Sequence, residues 1–157
     1  MSFQDRLHHW ADTELEARQV EIERQDSAQK REQSRIASNV RRAKRTFSAW
    51  EVEQTFKDVE VALRRIHGTA PGARAKFSVR GGSLWISATA GTDRGWGEHE
   101  QRMLTAAKIY VYLAYDGRTD SLTIKAYGAG VEANETGPLT GWTRQRMESV
   151  LLLAIGA

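Results

Sequence analysis

No cysteine occurs in these 157 residues, which excludes a disulfide framework and any thiolate metal site. Long apolar runs are also missing. The longest, Val150 to Ile155, is far short of the ~20 residues a membrane-spanning helix needs. Met1 is followed by Gln4, Asp5, His8 and His9 rather than by a basic stretch and an apolar one, so a secretory leader is not expected. These absences lead us to expect a soluble, cytoplasmic protein with no membrane contact. Neither glycine nor proline occurs between Ser2 and His67, so nothing there forces the chain out of a helix.

Acidic residues are absent from two stretches. Residues 35–49 carry Arg35, Arg41, Arg42, Lys44 and Arg45 with no carboxylate, and residues 61–92 carry Arg64, Arg65, Arg74, Lys76 and Arg80. The net charge is only +3, but segregated positive charge attracts polyanions more strongly than the total suggests. Residues 1–34, by contrast, hold eight acidic and five basic side chains.

The first 45 residues read as a helical arm, charged and in part flexible, and residues 46–157 as the folded domain. Phe3, Leu7, Trp10 and Ala11 share one helix face. From Glu23 to Arg35 the only apolar residue is Ala28, a composition that suits a solvent-bridging helix or a linker. A weak heptad through Leu15, Ile22 and Ile36 is interrupted at Gln29. A second helix is expected from Ser48, with Glu51 completing a capping box and Phe47 and Val52 a hydrophobic staple. Its stripe is Val52, Phe56, Val59, Leu63 and Ile66, and Gly68 stops it.

Two β-hairpins follow. In the first, Ala75–Arg80 and Ser83–Ala88 flank Gly81-Gly82, a pair suited to the positive φ of tight hairpin turns. Val79 then faces Leu84, Phe77 faces Ile86 and Ala75 faces Ala88. In the second, Lys108–Tyr115 and Asp120–Tyr127 flank a turn at Asp116–Thr119. Closing it there sets Leu113 opposite Leu122, Val111 opposite Ile124, Ile109 opposite Ala126 and Tyr110 opposite Lys125. Residues 90–97 and 128–141 read as glycine-rich loops, 98–107 as a short helix, and Thr143–Ile155 as a closing helix burying Met147, Val150, Leu151 and Ala154. The expected class is α+β: an antiparallel sheet built from two β-hairpins, packed by helices, with a long helical N-terminal arm.

Alternation places the apolar strand residues on one face and leaves Lys76, Ser78, Arg80, Trp85, Ser87, Lys108, Tyr110, Tyr112, Thr123, Lys125 and Tyr127 on the other. Rings interleaved with cations form the kind of platform on which single-stranded nucleic acid stacks. The leading expectation is sequence-tolerant binding of a single strand. Trp85, Tyr110, Tyr112 and Tyr127 would take the bases; Lys76, Arg80, Lys125 and the segment Arg41, Arg42, Lys44 and Arg45 would contact phosphates. The alternative is a protein-interaction or assembly module, a homo-oligomer or an adaptor, that uses Phe3, Leu7, Trp10 and Trp96 together with the same aromatic face.

Chemistry is harder to find. His8 and Asp12 are four apart on a helix but lack a third ligand. His99, between Glu98 and Glu100, has no nucleophile beside it. Thr123 stands where a metal-dependent nuclease strand ending at Lys125 would need a second acid. Gly128-Ala129-Gly130 lacks the rest of a phosphate loop. No catalytic residue, metal site or cofactor is therefore expected, and the protein is read as a binding protein rather than an enzyme.

Overall fold

The structure is a computed structural model that describes residues 1–68, 74–91, 109–128 and 131–157. Two compact units are present, Met1–Ala37 and Ser38–Ala157. The first is helical, the N-terminal part of helix α1 (Phe3–Ala49). Its start is closed reciprocally: Asp5 donates its N–H to Ser2 Oγ at 3.1 Å, and Asp5 Oδ2 accepts the Ser2 N–H at 2.9 Å. The Ser2 hydroxyl, which donates to Asp5 Oδ2 at 2.7 Å, and then the Ser2 N–H hold the exposed Asp5 carboxyl below its ordinary pKa. Ion pairs Glu21–Arg24 and Glu32–Arg35, one turn apart, add local support along the polar stretch. The helix runs unbroken where a linker was one reading, because no glycine or proline interrupts it.

The second unit carries the rest of α1, α2 (Val52–His67), five strands and α3 (Arg144–Ala154). The strands are β1 (Ser78–Arg80), β2 (Ser83–Ala90), β3 (Ile109–Asp116), β4 (Ser121–Gly128) and β5 (Val131–Pro138), and they form one antiparallel meander in chain order. Among the described residues of this unit, the helices lie on one face of the sheet. Phe47 of α1 stacks on Phe77 at 5.8 Å and meets Tyr115 edge-on at 5.9 Å, α2 covers β2, and α3 covers β4 and β5. Between helices and sheet lie Val40, Ala43, Phe56, Leu84, Ile86, Val111, Leu113, Leu122, Ile124 and Met147, all buried.

The α+β class is as expected, and several details differ. The second hairpin is shifted by two residues: Tyr115 pairs with Leu122, Leu113 with Ile124, Val111 with Ala126 and Tyr110 with Tyr127. A shift of two keeps every side chain on its expected face, because strand periodicity is two. It moves the four-residue turn by one position, to Gly117–Asp120, with Asp120 in the left-handed region at φ 52, a conformation that aspartate tolerates. The first hairpin keeps its register, Val79 opposite Leu84 and Ser78 opposite Trp85, but β1 is only three residues long. The expected pairs at Phe77 and Ala75 are not part of it, and Val79, on the sheet edge, is 54% exposed.

Residues 131–138, read as loop, form β5. Ala133, Glu135 and Gly137 alternate with Asn134, Thr136 and Pro138, so neither side is apolar and the usual strand signal is weak. The capping box at Ser48 is also replaced. α1 continues through Ala49, Glu51 takes φ 54 with no side-chain cap bond, and its carboxylate reaches Arg144 of α3 at 3.4 Å. On α2, Ile66 is exposed rather than part of the stripe, and Glu60 is buried in its place. The α3 reading holds: Thr143 caps it by accepting the Arg146 N–H, and Met147, Val150, Leu151 and Ala154 are buried. The helix expected over 98–107, and with it Trp96, His99 and Lys108, lies outside the described residues.

Glu60 explains how β2 continues after β1 ends. Its Oε2 accepts the Thr89 N–H and its Oε1 the Ala75 N–H, each at 3.2 Å. Arg64, one turn on, donates from Nε to the Thr89 carbonyl at 3.1 Å and lies 3.4 Å from the Glu60 carboxylate. One acceptor and one donor from α2 thus take the place of the missing strand's backbone.

Candidate nucleic-acid interface

The face of the sheet on which no helix lies among the described residues is ordered by the four registers. One row across it runs Ser78, Trp85, Ala114, Thr123 and Thr136; the next runs Ser87, Tyr112, Lys125 and Asn134; a third runs Thr89, Tyr110, Tyr127 and Glu132. Each strand supplies every second residue, so the face follows from the pleat alone.

Trp85 and Tyr127 are each 44% exposed, while Tyr110 and Tyr112 are half-buried. Tyr110 and Tyr127 stack at 5.1 Å with an 18° interplanar angle, and Tyr112 meets Tyr127 edge-on at 6.4 Å. The three phenols thus support one another and leave Tyr127 as their exposed member. Trp85 stands apart, next to the small side chains of Ser78, Ser87 and Ala114. Lys125 lies opposite Tyr112 and two residues along β4 from Tyr127. Arg80 is exposed at the β1 edge, and Lys76 is exposed just before it. With a rise of ~3.4 Å per residue and strands ~4.8 Å apart, Trp85 and Tyr127 are roughly 16 Å from one another.

The face is less uniformly cationic than the sequence suggests. β3 extends to Asp116, whose Oδ1 accepts the Arg118 N–H at 2.9 Å. β5 adds Asn134 and Thr136. Thr123 and Thr136 hydroxyls are 2.9 Å apart across β4 and β5. Recognising these contributions requires recognising β5, and only the period-two alternation of Ala133, Glu135 and Gly137 against Asn134, Thr136 and Pro138 signals it.

The basic segment of α1 is not on this face. Ala43 and Phe47 are buried on the helical side of the sheet, and Arg41, Lys44 and Arg45 are exposed on that helix. Arg42 is engaged structurally: it pairs with the Asp120 carboxylate, which also accepts the Tyr115 hydroxyl at 2.6 Å. Burial first, then the Asp120 hydrogen bond, raises the Tyr115 phenol well above its ordinary pKa. The two groups of cations expected to share one ligand therefore occupy opposite sides of the domain.

The helical side carries a cleft of about 600 Å³ beside β1, floored by Phe47, Val52, Phe77, Val79 and Leu84 and rimmed by Lys44, Glu51, Glu53 and Lys57. Trp142 is an anchor: it is buried, donates from Nε1 to the Gly137 carbonyl at 3.3 Å, and lies under the Arg146 guanidinium at 4.0 Å. Phe3, Leu7 and Trp10, the expected partner-binding residues, are exposed in the first unit. Among the described residues no group of three histidine or carboxylate side chains converges on a metal site, and no helix is long and apolar enough to cross a membrane. No protein-family model matches the chain, and neither a curated protein nor a solved structure matches it.

Proposed function

We propose that the protein is a non-enzymatic binding protein whose sheet face of Trp85 and Tyr127, opposite the described helices, takes single-stranded nucleic acid. The observation that supports this reading is the pair of exposed rings, Trp85 and Tyr127, with Lys125 two residues from Tyr127 on β4 and Arg80 and Lys76 at the edge. An unstacked base covers the face of an aromatic ring whatever its identity, which makes recognition tolerant of sequence. On this reading Trp85 and Tyr127, roughly 16 Å apart, stack on nucleotides that are not neighbours, and Lys76, Arg80 and Lys125 contact phosphates.

Fluorescence anisotropy with labelled single-stranded RNA, single-stranded DNA and duplex DNA tests it. Single strands should bind in preference to duplex. Trp85→Ala should weaken binding by about 1–3 kcal/mol, roughly 5- to 150-fold. Three phosphate contacts give a slope of about −2 in log affinity against log salt, or roughly 20-fold between 50 and 200 mM. Absence of binding at 50 mM salt rejects the proposal.

A protein partner on the same face is the second reading. It is favoured by the mutual stacking of Tyr110 and Tyr127, which occupies ring surface a base would use, and by the placement of Arg41, Lys44 and Arg45 on the other side. Binding that persists unchanged in high salt with a protein, and none with nucleic acid, would select it.

A further inference from the structure

The first unit is a helix with nothing in the way of a core. The buried residues of α1 are Val40, Ala43 and Phe47, all beyond Ala37. Leu7, Leu15 and Ile22 are 48%, 65% and 52% exposed. They are not scattered: Leu7, Ala11, Leu15, Ile22 and Ile36 follow a single stripe at helical spacing, with Arg18, Gln25, Gln29 and Glu32 filling the remaining positions. Single helices in water draw most of their stability from packing such a stripe against something.

Charge says what that something is. Residues 1–23 hold six acidic and two basic side chains, and residues 24–45 eight basic and two acidic ones. Two copies of α1 side by side in parallel would set acid against acid and base against base. Side by side in antiparallel, each acidic half meets a basic half. We infer that α1 is a self-pairing surface and that its occupant is a second copy of this chain, antiparallel, with the two helices crossing at Ile22. That register sets Ile22 against its own copy, Leu15 against Gln29, and Leu7 against Ala37. The polar Gln29 costs stability and specifies register, as single polar residues do in helical seams. This pairing is independent of what the sheet binds.

Light scattering on the full chain at about 100 μM tests it, because the monomer mass is 17.7 kDa and the pair has twice that. The expected mass is that of the pair at low salt, with a dissociation constant that rises in 1 M salt as the charges are screened. Ile22→Asp should return the mass to the monomer value while the urea midpoint of the folded domain stays unchanged. Because the chain has no cysteine, introduced thiols report orientation cleanly. Leu15→Cys with Gln29→Cys should give a covalent dimer on mild oxidation, and Leu15→Cys alone should not. A monomer mass in low salt overturns the inference. So does a dimer that survives Ile22→Asp, or one in which Leu15→Cys cross-links by itself, the mark of a parallel pair.

Discussion

Glu60→Ala should be among the most destabilising single changes in the second unit. The carboxylate is 1% exposed, accepts the backbone N–H groups of Ala75 and Thr89, and pairs with Arg64. Alanine removes the acceptor but leaves two backbone donors and a guanidinium in the interior. Removing one partner of a buried pair costs about 3–5 kcal/mol, against a total of about 5–15 kcal/mol for a domain of ordinary stability. With a urea m-value of about 1–3 kcal/mol/M, the midpoint should fall by more than ~1 M. Glu60→Gln retains one acceptor oxygen and should cost less. Equilibrium unfolding followed by tryptophan fluorescence measures both. A loss below about 1 kcal/mol for Glu60→Ala at unchanged m would refute the idea that this side chain replaces a strand.

Three further outcomes follow from the same geometry. Stability should fall as pH rises above about 10, because the unfolded chain then releases the Tyr115 proton that the folded chain retains. Tyr115→Phe should lower stability at neutral pH by about 1 kcal/mol through the lost bond to Asp120 and flatten that alkaline slope, and urea titrations at pH 8, 10 and 11 would reveal a slope that persists. Replacing Arg41 and Arg45 by serine should leave the salt slope of nucleic-acid binding unchanged, because both lie on the helical side; a slope reduced by about 1.4 would place them on the ligand. Residues 38–157 should unfold cooperatively, whereas a chain starting at Trp50 should not, because it lacks Phe47, whose truncation alone costs about 3–5 kcal/mol. Denaturation curves of the two truncated chains decide this.

What could be read in advance was whatever depends on parity. Trp85, Tyr110, Tyr112, Lys125 and Tyr127 share a face in either register of the second hairpin, since a shift of two moves partners without moving faces. The turn itself was harder, because both closures align apolar partners and only the left-handed conformation of Asp120 separates them. β5 was hidden by Gly137 and Pro138 and by Glu135, a charged residue on the side of the strand where an apolar one would signal it. The α1–α2 junction looked like a cap because Ser48 and Glu51 have the right spacing, yet Phe47 is drawn into the core by Phe77 and Tyr115 and carries the first helix past Ser48. The basic segment 41–45 was legible as charge but not as location, because its side of the sheet is fixed by Val40, Ala43 and Phe47 rather than by the arginines.

Gly117 is a junction. Its N–H bonds the Gly82 carbonyl at 2.7 Å and its carbonyl accepts the Asn39 side chain at 2.9 Å, so the tips of both hairpins and the helix behind them are stitched at one residue. Hairpin tips are ordinarily where a protein tolerates an epitope tag, a fused domain or new termini. Here a lengthened tip would pull apart three elements together, and an insertion is better placed elsewhere on the surface.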